Sequence, residues 1–431
     1  MIGSRYEKKK VLSFDERVDP TSTALVVIDV QNDFALPQGV CGQVGDDISL
    51  VAPMVARLKA LIESARKAGV LIVFVRTIYD EPVLSPALAE QYSRRGYPNS
   101  ICLTGTRGAE FYHGIGPKKN APNEILVTKH RYSAFWGSSI DLVLRNNGIR
   151  TVVLTGIATE VCVESTARDA FFKDYQVVVP EDCVGCYSED RQQAALVVIA
   201  RSFGVVTSGT EIATVWQKLG NGARNWQPEM RAQRALTTLD ERLRPAHTAL
   251  VLANIQSDIY GADQDRDNVA MISTLPATKA LLDNARYASC FIIHARAATL
   301  SERGVESAPF VAGFEPRGEE QVVTCHRFSA FADTQLDVLL RSNCIRTAVF
   351  AGATTNCTIE TTVRETADRD YYAIVAVDCV AAPDTEADLH AAALTNIGRY
   401  FGTVLSSDAI AATWAHDASL HRETYAVPST P

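Results

Sequence analysis

The sequence predicts an α/β protein of two tandem domains, each a mostly parallel sheet with helices on both faces. Three observations carry this: chain length, the alternation of β-branched runs with helical segments, and a long internal repeat. At 431 residues the chain is too long for one core and suits two domains of about 200 residues each. In the first half ALVVID, VLIVFVR, TVVLTG and QVVVPED read as strands, and VAPMVARLKALIESARKAG reads as a helix. That alternation argues for βαβ units. The strands are nearly continuous apolar runs, as a sheet covered on both faces requires, and ligands of such sheets bind beyond the carboxyl ends of the strands.

The repeat is direct. TALVVIDVQNDF (23–34) lies over TALVLANIQSDI (248–259) at an offset of 225. VTKHRYSAF (127–135) lies over VTCHRFSAF (323–331), and TVVLTGIATEVCVESTAR (151–168) over TAVFAGATTNCTIETTVR (347–364), both at an offset of 196. A period this long marks a duplicated domain rather than a solenoid. The polar, proline-containing joint falls within 218–248, where some helix precedes the next strand, and divides the chain into domains 1–225 and 226–431. The drop in offset means that the second copy has lost 29 residues net (225 − 196). Most of them come from the stretch between Arg76 and Lys129, the natural lid of a site at the strand ends.

A formal net charge of −8 opposes a nucleic-acid surface, which needs a concentrated Lys/Arg stripe. The opening residues carry charge but no apolar signal core, and no apolar run reaches the roughly 20 residues that span a bilayer. The expectation is a cytoplasmic protein with no nucleic-acid or membrane partner. Ten cysteines without a dense regular spacing suggest reduced thiols.

Three chemistry-bearing residues fall at strand ends in the first copy. Asp29 ends ALVVI, Lys129 closes EILVT, and Cys162 lies just past VVLTG, where VCVESTARDAFF starts a helix. A helix N-terminus and a nearby cation lower a thiol pKa, and Lys129 is a suitable cation. A carboxylate beside the thiol takes its proton and returns it to a leaving amine, a task that suits Asp29. Backbone amides of the Gly156 to Cys162 turn can serve the oxyanion. Singly, each residue also has an ordinary reading as core thiol, helix cap or solvated cation.

VVIDVQNDF, TKHRYSAF and LTGIATEVCVESTARDAFF together resemble the isochorismatase-like cysteine hydrolases, most closely the branch of ureidoacrylate and biuret amidohydrolases. The resemblance covers 21 to about 216. It implies Cys162 as nucleophile, Asp29 as general base, and Lys129 as the residue that orients Asp29 and supports the thiolate. It also implies a cis peptide between Ile157 and Ala158 that aims the Ala158 and Cys162 amides at the oxyanion. Gln31, Phe34, Tyr132, Phe135, Trp136, Ile157 and Glu160 are the substrate-binding candidates. Glu160 stands where the ureide branch commonly has Asn, which leaves that branch's substrate open. Nicotinamidases of this family carry an Asp and His metal cluster after the first motif, whereas ALPQGVCGQVGDD here has no His, so neither metal nor other cofactor is expected.

In the second copy Asp29 becomes Asn254, Lys129 becomes Cys325 and Cys162 becomes Thr358. Cys357 does not replace the nucleophile, because it aligns with Val161. The second domain therefore reads as a pseudoenzyme. Because related single-domain hydrolases form oligomers, it is expected to pack as an intramolecular pseudo-dimer, with further homo-oligomerisation open. Cys183 and Cys186 form a CxxC without a second ligand pair, weak grounds for a redox or zinc site. The expected activity is hydrolysis of a small amide, ureide or carbamoyl compound through a thioester. The alternatives are hydrolysis of an isochorismate-like ether and a metabolite-binding regulatory role.

Overall fold

The computed structural model describes residues 11–220, 236–261, 268–301 and 304–423. The chain divides into two compact units, Met1–Ala235 and Leu236–Pro431. The expected boundary after residue 225 lies outside the described residues, as does much of the polar joint.

In the first unit the strands are β1 (Thr23–Ile28), β2 (Leu71–Thr77), β3 (Glu124–Lys129), β4 (Thr151–Ile157), β5 (Gln176–Pro180), β6 (Val184–Gly185) and β7 (Val205–Thr207). They form one sheet in the order β3-β2-β1-β4-β5-β7, with β6 beside β4, and every pairing is parallel. The principal helices are α1 (Val51–Ala68), α2 (Pro86–Arg94), α3 (Ile140–Asn146), α4 (Glu164–Phe172), α5 (Glu189–Ser202) and α6 (Gly209–Leu219). α1 buries Val51, Met54, Val55, Leu58, Leu61, Ile62, Ala65 and Ala68, the three-and-four spacing of one helical face. It stops at Gly69 in the left-handed conformation (φ 68°), a common helix terminator.

Strand residues alternate between two cores, as a period of two dictates. Leu25, Val27, Ile72 and Phe74 pack with α1 and α6, including Trp216. Ala24, Val26, Ile28, Val73 and Val75 pack with α3, α4 and α5. This double cover explains the unbroken apolar runs. It also places the reversal of strand order between β1 and β4, where an open α/β sheet leaves a crevice at its carboxyl edge.

The second unit is built the same way from β8 (Thr248–Ala253), β9 (Phe291–Ala297), β10 (Thr299–Ser301), β11 (Gly304–Glu306), β12 (Gln321–Cys325), β13 (Thr347–Ala353), β14 (Tyr372–Ala381) and β15 (Thr403–Leu405). Its sheet runs β12-β9-β8-β13-β14-β15, and β10 and β11 form a separate hairpin. The register is repeated: Thr23 faces Thr151 across β1 and β4, and Thr248 faces Thr347 across β8 and β13. Forty-six residues separate Thr77 from Glu124, but 23 separate Ala297 from Gln321, so the shortening falls in the connection between the second and third long strands.

Candidate active site

The carboxyl edge of the first sheet brings Asp29, Lys129 and Cys162 together. Asp29 leaves β1 in the left-handed conformation (φ 52°), which Asp and Asn tolerate better than most residues. Its carboxylate lies 2.7 Å from Lys129 Nζ, and both side chains are almost wholly buried. Thr77 Oγ1 donates to Asp29 Oδ1 at 3.0 Å. Lys129 Nζ also donates to the Arg131 carbonyl at 2.9 Å and to Cys162 Sγ at 3.6 Å. The ammonium thus bridges carboxylate and thiol. Burial works against its charge, but the Asp29 carboxylate and the Cys162 sulfur hold its pKa above the ordinary value.

Cys162 sits in a wide helical turn (Thr159–Val163) that leads into α4. Thr166 Oγ1 donates to the Cys162 carbonyl at 2.6 Å and accepts from the Ala134 amide at 3.0 Å, which fixes the start of the helix. The Ile157–Ala158 peptide is cis, and the Ala158 backbone lies near enough to the Cys162 thiol to favour its ionised form. Gly156 makes this path possible. At φ 109° an added Cβ would stand 2.0 Å from the Ile28 carbonyl oxygen, far inside contact distance. The lowered resting thiol pKa expected from the helix start and Lys129 is not what results. Burial pushes the Cys162 thiol up to about 12, and Lys129 pulling down is outweighed by burial together with the Asp29 carboxylate.

A cavity of about 40 Å³ adjoins Asp29, Ala158 and Cys162, on the order of the space of one water molecule. Of the binding candidates, Phe34, Tyr132 and Ile157 line this cavity. Four others are placed elsewhere. Gln31 is buried and accepts from the Thr77 amide while donating to the Thr77 and Ala109 carbonyls, a strut between rim and lid. Phe135 packs in the core against Tyr175. Trp136 is 68% exposed and borders a shallow hollow with Pro82 and Pro86. Glu160 pairs with Arg191 at 3.4 Å.

Sequence reasoning missed most of the lining. Tyr79, Tyr92, Arg95, Tyr97 and Ile101 come from the segment after β2 that lengthens only the first copy, and Cys41 and Tyr187 complete the wall. Asn32 Nδ2 donates to the Arg107 carbonyl, Asp33 Oδ2 accepts from the Cys102 amide, and the Tyr112 amide donates to the Val30 carbonyl. The residues after Asp29 therefore pin that segment over the site. Thr77 was missed as well. Its place in the second copy is taken by Ala297, the residue paired at the same register.

The second unit repeats the scaffold without the ions. Asn254 holds φ 53° and Ala353–Thr354 is cis. Asn254 Nδ2 donates to Thr358 Oγ1 at 3.0 Å, and Cys325 is buried by the β12 end. Gln256 makes the same three kinds of bond as Gln31, to the Ala297 amide and carbonyl and the Ala308 carbonyl. None of the ten cysteines is in a disulfide. Among the described residues no group of three or more His, Cys, Asp or Glu is placed to hold a metal ion, and no helix is long and apolar enough to cross a membrane.

Fold and site together define a doubly covered parallel α/β scaffold with a buried thiol, carboxylate and ammonium at the switch in strand order. Residues 23–211 and 248–409 each match the isochorismatase domain, and the chain belongs to that family of hydrolases. Among solved structures it is similar to a cysteine hydrolase from Pseudomonas syringae pv. phaseolicola 1448A (25% identity, 49% of this chain and 99% of that one, TM-score 0.42). It is likewise similar to nicotinamidase from Bacillus subtilis (29%, 43% and 99%, TM-score 0.39). A third is N-carbamoylsarcosine amidase from Thermoplasma acidophilum (28%, 44% and 96%, TM-score 0.35).

Proposed function

We propose that the protein is a cysteine-dependent amidohydrolase that cleaves a C–N bond of a small amide, ureide or carbamoyl compound through a thioester on Cys162. The observation that carries this is the buried Lys129 Nζ, 2.7 Å from Asp29 and 3.6 Å from the Cys162 sulfur. A thiol held protonated at rest loses its proton as it attacks. The S–C bond forms while the proton passes to the Asp29 carboxylate, and the Ala158 and Cys162 amides receive the oxyanion. Lys129 keeps Asp29 ionised and oriented, and its charge stabilises sulfur as negative charge develops there. As the C–N bond breaks, Asp29 returns the proton to the leaving nitrogen. Water then attacks the thioester, gives a proton to Asp29, and the thiol is re-formed.

The second unit has Asn254, Cys325 and Thr358 at these three places, which supports reading it as catalytically silent. Its role on this reading is that of a duplicated partner, packed as a pseudo-dimer. Ammonia or amine release from a panel of ureides and primary amides tests the activity. Turnover retained in Cys162→Ala removes the covalent route, and hydrolysis without nitrogen release points to an ether substrate.

A further inference from the structure

We propose that Arg95 determines specificity in this site and that the substrate is a small amide or ureide bearing a carboxylate; the substrate class rests on the amide-hydrolysis reading above. Within the cavity wall, among the described residues, only Arg95 is a cation without a directly bonded counter-ion; Asp46 acts on it from farther off, through Tyr97 Oη. Asp29 is neutralised by Lys129 at 2.7 Å, and most of the remaining wall is aromatic or aliphatic. Arg95 is the one full cation lining the cavity among the described residues, and it remains open to solvent on its other side. Its Nη2 donates to Tyr97 Oη at 3.1 Å, and its guanidinium carbon lies 4.6 Å from the Tyr97 ring centroid.

Among the described residues no carboxylate forms an ion pair with it. The nearby acid, Asp46, instead accepts from Tyr97 Oη. A guanidinium has five N–H donors in a planar fork that matches a carboxylate, more than its tyrosine neighbours Tyr97 and Tyr132 use. The internal repeat adds an independent observation. The unit without the triad also lacks the length of chain that carries Arg95, with 23 residues where the first unit has 46. Yet it keeps the strut (Gln256), the left-handed turn at Asn254 and the cis peptide. What serves the fold is present in both units, and Arg95 goes with the chemistry.

The test uses pairs matched in heavy-atom shape: N-carbamoylglycine with isobutylurea, N-carbamoyl-β-alanine with isopentylurea, and succinamate with 4-methylpentanamide. Ammonia release is measured with the full-length protein and its Arg95→Gln and Arg95→Lys variants. Binding is measured calorimetrically with full-length Cys162→Ala, with and without Arg95→Gln. In at least one pair the anion is expected to be favoured by about 10- to 100-fold in kcat/KM and in Kd. Arg95→Gln should erase the preference through KM with kcat held, and Arg95→Lys should restore part of it. Anion binding that is lost in Arg95→Gln, with no ammonia from any compound, upholds the carboxylate site and overturns the amidohydrolase reading. Equal turnover of anionic and neutral partners does the reverse. No preferential binding of any anion, including no binding at all, overturns the proposal.

Discussion

Cys162 and its neighbours behave as one unit because each charge is buried with its counter-charge. Asp29→Asn should keep the backbone, since Asn254 occupies the same left-handed turn, yet lose about 100- to 10,000-fold in kcat for want of a base. Assays of kcat and thermal unfolding on the same sample separate the two effects. Lys129→Met leaves Asp29 buried without its partner and should cost about 3–5 kcal/mol in a denaturant titration. The Cys162 thiol, pushed up to about 12 by burial, should be alkylated by iodoacetamide at a rate that climbs steadily from pH 7 to 11. A plateau near pH 7 would mean that the thiolate is preformed. The linkage has a definite sign. Below about pH 9 the thiol is protonated in both states and its contribution is intact. Between about 9 and 12 the unfolded chain releases the proton first, so stability is lost with rising pH. Cys162→Ala should make that part of the profile less steep, with Cys41, Cys186, Cys325 and Cys379, also raised by burial, accounting for part of the remaining slope.

At the level of elements, the site depends on two close approaches of backbone. Gly156→Ala forces a Cβ to 2.0 Å from the Ile28 carbonyl at φ 109°. It should destabilise by at least about 3 kcal/mol, or abolish soluble expression. Gln31 ties the end of β2 to the lid through three buried bonds. Gln31→Ala should therefore cost about 3 kcal/mol, measured by chemical unfolding. A like loss from Gln256→Ala, in the unit without the triad, would show that the residue serves the fold. An unchanged stability with a raised KM would return Gln31 to the substrate.

Across the whole molecule the expectation is one working centre per chain. Thr358→Ala should leave kcat within about twofold, because Thr358 meets a neutral Asn254 that offers no base. A thiol-directed substrate analogue should label one residue per chain, Cys162, as activity falls to zero, and mass spectrometry of the labelled peptide decides this. If the second unit supports the first as a pseudo-dimer, residues 1–225 alone should lose stability or activity. Full stability and unchanged activity of that fragment would remove the pseudo-dimer from the account.

The amino-acid sequence by itself determined the two-unit α/β architecture, the strands from ALVVID to QVVVPED, the Asp29, Lys129 and Cys162 positions, and the Ile157–Ala158 cis bond implied by resemblance. These were legible because buried strands and strand-end motifs are local patterns, and because the chain supplies its own comparison at offsets of 225 and 196. Only the tertiary structure decided which aromatics face the cavity. Gln31 and Phe135 turn into the fold and Trp136 to solvent, whereas Tyr79, Tyr92 and Arg95 close over the thiol. A lid segment carries no period that tells which side chain points inward, since that follows from where its ends are pinned. The resting state of Cys162 was decided there too. Proximity to a cation is visible in sequence, but the depth of burial that outweighs it exists only in the packed protein.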